Sequence, residues 1–203
     1  MERDLEGETS SRSRDKLVWK TLWKLEVAPA TMMFIWRAYS EALPTLANLR
    51  RRKIVEDNSC FICKQVPETS GYALWGCAAA QDVWNLGGKK MQKMTFHSEM
   101  VFDIWSILVD LIDSTELKEV AAILRGIWTR RNEFLHGKEF KHPTMLCQQT
   151  KAELLSHTKA LKESREISVK SPAMVHKWSK PAEDCFKIHG DAAVKTGVGR
   201  IGI

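Results

Sequence analysis

Three cysteines between residues 60 and 77 interrupt a chain that otherwise repeats apolar residues at helical spacing. The tight Cys60-Phe-Ile-Cys63 loop can bring two thiolates onto one metal ion, and Cys77 is spaced to return as a third ligand. The five cysteines are an odd number, and the opening residues MERDLEGETSSRSRDK contain no apolar core of a secretory signal. The cluster therefore reads as a metal site in a reducing, intracellular compartment rather than as a disulfide framework. The competing reading is three thiols that hold no metal. Structural zinc takes four ligands, and the intervening PETSGYALWGC offers no histidine. Tyr72 stands where a fourth ligand is expected, and a phenol with an ordinary pKa of ~10 is a poor zinc ligand at neutral pH. Glu68, His97 or a water are the remaining candidates.

Around the cysteines the pattern is helical. Met32, Ile35, Trp36, Tyr39 and Leu43 make an apolar stripe that Pro29 can open and Pro44 close. Val18, Leu22 and Leu25 mark a shorter helix upstream, and Thr45 can cap a third helix that runs through Leu46 and Leu49. Residues 58–78 lose the periodicity, and Gly87-Gly88 end a short helix through Val83 and Trp84. Val101, Ile104, Trp105, Leu108, Leu111 and Ile112 form the cleanest stripe. Asp113 and Glu116 have capping-box spacing for a helix through Leu117, Val120, Ala121, Leu124 and Trp128 that stops near Gly137. A weaker helix is expected at about 144–163. The eight tryptophans outnumber the two tyrosines, and Trp19, Trp23, Trp36, Trp84, Trp105 and Trp128 all fall in periodic stretches, which places them in the core. Alternation at Phe186, Ile188 and Gly190 signals a strand, with GVGRIGI as a second one after a turn. No stretch approaches the ~18 uninterrupted apolar residues of a membrane span.

Net charge is +6 and the sequence pI about 9.1. Between Lys16 and Lys64 nine Lys/Arg face four Asp/Glu, and Arg50, Arg51, Arg52 and Lys53 are consecutive. Phosphate is a natural partner for such a surface, which makes non-specific contact with DNA or RNA the expectation to set against a solvated helix end.

The order WKTLWKLEVAP, FIWRAYSEALPTLANLRRRKI, CFIC, ETSGYALWGC and AQDVW resembles the zinc-binding region of plant non-LTR (LINE-type) retroelement reverse transcriptases. IWTRRNEFLHGKEF looks like the segment that such proteins carry between the zinc region and a terminal ribonuclease-H-like domain. WSKPAEDCFKIHGDAAVKTGVGRIGI is similar to the start of that domain. The resemblance implies a Zn2+ site at Cys60, Cys63 and Cys77 whose family histidine is replaced by Tyr72. It also puts Asp191 at the first catalytic metal-binding aspartate, with His189 in place of an asparagine. Two-metal hydrolysis needs several carboxylates around its ions, so Asp191 alone supports no cleavage. Mg2+ would enter only with a complete ribonuclease-H-like domain.

The expected fold class is mostly α: a helical domain with a small cysteine knuckle, plus a C-terminal β-hairpin fragment of a truncated α/β ribonuclease-H-like domain. The expected organisation is a disordered tail at 1–15, a helical zinc-binding-like domain at 16–90 and a helical connecting region at 91–163. A linker at 164–184 and the start of the ribonuclease-H-like domain at 185–203 complete it. The functional expectation is a non-catalytic retroelement remnant that contacts nucleic acid. The alternatives are part of a ribonuclease-H-type enzyme and a host-adopted protein-interaction adaptor.

Overall fold

The computed structural model describes residues 16–170, 191–195 and 198–202, with Lys89, residues 167–170 and the two strands described by backbone alone. The expected tail at 1–15, residues 171–184 of the expected linker, and residues 185–190, with the expected strand at Phe186, Ile188 and Gly190 and with His189, lie outside the described residues. The chain divides into two units, Met1–Ser164 and Arg165–Ile203.

The first unit is built of helices. Residues 16–24 form α1, followed by α2 (Pro29–Tyr39), α3 (Leu46–Arg51) and a π-helical turn (Tyr72–Gly76). After these come α4 (Ala78–Trp84), α5 (Lys89–Gln92), α6 (Val101–Leu111), α7 (Ser114–Leu135) and α8 (Pro143–Lys170). Pro29 occupies the first turn of α2, where its missing N–H costs nothing. Thr45 caps α3 by accepting from the Asn48 amide. At the start of α7, Asp113 accepts from the Thr115 and Glu116 amides while Glu116 accepts from the Asp113 amide, a complete capping box. At its far end Gly137 takes φ 80° and the Lys138 amide reaches back to the Glu133 carbonyl, which satisfies the last turn. Helix α8 continues past residue 163, into the stretch expected as linker.

Helix α2 packs on α6 and α7, and α7 also meets α4 and the π turn. The buried face of α2 is Thr31, Phe34, Ile35, Ala38 and Tyr39. Trp36 lies outside that face. The expectation of six core tryptophans is thus corrected. Trp84, Trp105 and Trp128 are buried, Trp19 is half-buried against Tyr39, and Trp23 and Trp36 are 57% and 38% exposed. Trp75, which no periodicity marks, is fully buried and stacks on Trp84 at 4.1 Å.

The expected fold class also needs correction. The architecture is helical with a cysteine cluster, and no α/β layer is present among the described residues. Among the described residues, Asp191–Lys195 and Val198–Gly202 pair only with one another. A two-stranded antiparallel ladder is marginal by itself, and the described residues give no support to the expected α/β fragment. No described helix is long and apolar enough to cross a membrane.

One buried ion pair joins the helices to the cysteine loop. Glu68 is fully buried and Arg131 nearly so. Arg131 Nη2 bonds Glu68 Oε1, and Arg131 Nε donates to Oε2 at 3.2 Å. Oε1 also accepts from the Leu46 amide at the start of α3, and Oε2 from the Phe61 amide in the cysteine loop. Removing one partner strands the other charge out of water. Glu68→Ala or Arg131→Ala should therefore lower unfolding stability by about 3–5 kcal/mol, whereas Glu68→Leu with Arg131→Met should recover much of the loss. Urea unfolding of the two single variants and the double variant checks this. Single losses below ~1 kcal/mol would show that the pair is not the clamp.

Candidate metal centre

Cys60 opens a tight loop that is closed by backbone bonds. Its amide donates to the Val66 carbonyl at 2.7 Å, and the Lys64 amide returns to the Cys60 carbonyl at 2.8 Å. Lys64 takes φ 58° to complete the turn. An isolated bridge between Ser59 and Pro67 clamps the base of the loop. The backbone amides of Ile62 and Cys63 bond the Cys60 sulfur and favour its thiolate.

Cys77 arrives from the opposite side, at the entry to α4. The π turn places it: the Cys77 amide bonds the Tyr72 carbonyl at 2.8 Å, a wide i to i+5 closure that sets Tyr72 and Cys77 on one side of the same turn. Thr69 anchors the turn by accepting from the Tyr72 amide at 3.2 Å. Gly71 lets it approach the 97–100 segment, because a Cβ there would fall 2.3 Å from the Ser98 carbonyl oxygen. The Gly71 amide uses that closeness to bond the Glu99 carbonyl at 2.8 Å.

The three sulfurs expected to meet do meet. Their Sγ atoms all lie within 4.8 Å of one another, with Cys60 and Cys77 buried and Cys63 half-buried. The Cys60–Cys77 separation is 3.8 Å, the edge that two thiolates ~2.3 Å from a tetrahedral zinc would span. The Cys60 thiol is held down at about 6, chiefly by its hydrogen bond with Cys77. The Cys77 thiol is pushed up because it keeps the shared proton and is buried. The donor set is soft and close-set, and it fits zinc at three positions.

Tyr72 takes the fourth side. Its hydroxyl lies 3.1 Å from Cys63 Sγ. Burial first, then the neighbouring sulfur, push the phenol well above its ordinary pKa. A protonated phenol is a poor ligand for a cation, and this one shares a hydrogen bond with the Cys63 sulfur. Glu68, a candidate from sequence, is spent on Arg131. His97 is exposed, shares a cavity of about 290 Å³ with Tyr72 and Gly76, and does not join the cysteine cluster.

The basic run borders this centre. Arg50 and Arg51 end α3, Arg52 follows as its C-cap, Lys53 takes φ 59°, and all four are exposed. Arg50 donates to Asn58 Oδ1 at 3.0 Å, which ties the helix end to the residues entering the cysteine loop. Asp191 opens the first strand opposite Gly202, as backbone only. Sequence reasoning missed the Glu68–Arg131 pair and the aromatic side chains between the loop and α7. The one signal for either was IWTRRNEFLHGKEF, which carries Arg131, Phe134 and Phe140.

Residues 8–84 match the family model for zinc-binding in reverse transcriptase. The chain thus carries a region related to retroelement reverse transcriptases, and that region contains all three cysteines and Tyr72. No curated protein and no solved structure matches the chain.

With three thiols and a protonated phenol, zinc should bind below the affinity of a four-ligand site. Tyr72→His should raise zinc affinity and slow its removal by a chelator, as measured by competition with a chromogenic zinc indicator. Tight stoichiometric zinc in the natural chain, unchanged by the substitution, would contradict the assignment of Tyr72.

Proposed function

We propose that the chain is a remnant of a plant non-LTR retroelement reverse transcriptase, serving as a non-catalytic module that binds nucleic acid without sequence preference. The observation that carries this reading is the tie from Arg50 to Asn58, which sets four exposed cations beside the cysteine loop. Zinc held by Cys60, Cys63 and Cys77 would brace that loop, and the cations would contact phosphates. Phosphate recognition of this kind fixes position on a strand but reads no base.

Exposed Trp23 and Trp36 on α1 and α2 favour a second reading, a host-adopted protein-interaction adaptor. The two readings part on salt. Binding to phosphate releases counterions, so affinity for duplex DNA should fall with a log–log slope of ~−0.9 per phosphate engaged. Neutralising Arg50, Arg51, Arg52 and Lys53 together should flatten that slope by about 0.9 for each phosphate no longer engaged and leave sequence preference unchanged. Fluorescence anisotropy across a salt series measures it. An unchanged slope would remove the basic run from the interface, and no binding at any salt would leave the adaptor.

A further inference from the structure

Three phenylalanine rings form a row from the cysteine loop to the end of α7 and beyond. Phe61, the first residue inside CFIC, meets Phe134 with ring centroids 5.8 Å apart, and Phe134 meets Phe140 at 5.0 Å. All three are half-buried, not sealed in the core. Cations attend both ends. Lys64 Nζ lies 4.2 Å from the centre of Phe61, and the Arg130 guanidinium lies 3.7 Å from that of Phe140. Arg130 is buried and held by the Ala79 and Lys141 carbonyls, so it braces the Phe140 ring from beneath the surface. Lys64 is exposed, and Arg50 approaches the same loop through Asn58. Asp57, which feels both Lys64 and Arg50, is an acidic group at this end, next to the exposed Glu56.

A half-open row of aromatic rings beside exposed cations suits a ligand that is flat, aromatic and anionic at regular intervals. We propose that Phe61, Phe134 and Phe140 form a stacking platform for unpaired nucleobases, with Lys64 and Arg50 taking the adjoining phosphates, so that the ligand is single-stranded nucleic acid. The inference rests on the nucleic-acid reading above and narrows it. Bases within a duplex already stack on one another and offer no free face, whereas every unpaired base has one whatever its identity. The row therefore separates single strands from duplexes without reading sequence.

The test compares an oligothymidylate with a DNA duplex of equal length, by fluorescence anisotropy on the full chain at one salt concentration. The natural chain should bind the single strand more tightly. Phe134→Leu keeps the apolar volume but removes the ring, and should weaken single-strand binding by roughly five-fold or more with little change on duplex. Phe134→Trp should restore the single-strand affinity. Lys64→Gln, which removes the charge at an exposed position and adds no anion beside Phe61, should weaken single-strand binding even if Phe134→Leu disturbs the fold. Equal affinity for the two ligands, or equal loss on both in folded Phe134→Leu, would overturn the platform and leave the basic-run reading standing. Failure of the natural chain to bind either nucleic acid would overturn both.

Discussion

The carboxylate of Glu68 is the point at which three parts of the molecule meet. It receives the α3 amide of Leu46, the loop amide of Phe61 and two guanidinium nitrogens of Arg131. Its own backbone adds two further ties, accepting from the Ala47 amide and donating to the Asn58 carbonyl. A buried charge is tolerable only when its lone pairs are filled, and here each oxygen has two donors. Arg131 is equally engaged: it also donates to Asn132 Oδ1 and lies 5.0 Å from the Trp128 ring centre. The pair fixes the cysteine loop against α7, so a helix outside the family-matched residues completes the body on which the cysteine cluster sits.

That arrangement changes what the cysteines must do. In a small zinc finger the metal supplies the folding free energy, because little else holds the ligands together. Here Cys60 and Cys77 belong to the hydrophobic core with Leu74, Trp75 and Trp84. The loop is closed by its own backbone bonds, and Glu68 secures it from below. The thiols are brought together by the fold. A frame of this kind tolerates a poor fourth position. Tyr72 leaves the three sulfurs in place because the π turn and Thr69 hold its backbone, and its hydroxyl satisfies Cys63 by hydrogen bonding.

Much of this was legible in the residues, and the parts that were not share a cause. Helix positions and caps depend on neighbours in sequence, so Thr45, Asp113 with Glu116, and Gly137 could be read directly. The cysteine cluster was readable for the same reason, since a CxxC loop constrains its own geometry. Which face of α2 turns inward depends on α6 and α7, and periodicity placed Trp36 on the wrong side of that boundary. The partner of Glu68 is 63 residues away, and nothing local distinguishes Arg131 from Arg130. Alternation at Phe186, Ile188 and Gly190 suggested a strand, and the layered domain came from the resemblance of the chain's end alone; pattern specifies a strand's faces, not whether further strands or helices come to cover them. The described ladder has two strands.

Phe61 shows how closely these features are coupled. Its amide is bound to Glu68, its ring meets Phe134, and its neighbour in the chain is the buried Cys60. The two residues between the loop cysteines are therefore not interchangeable spacers. Ile62 packs against the core while Phe61 faces α7 at the half-open edge. A shift of the Cys60–Cys63 turn displaces the Phe61 amide and ring together, because a peptide plane and its adjoining Cα move as one. The sulfur cluster, the buried ion pair and the aromatic row thus share one residue of backbone, and the geometry of each constrains the other two.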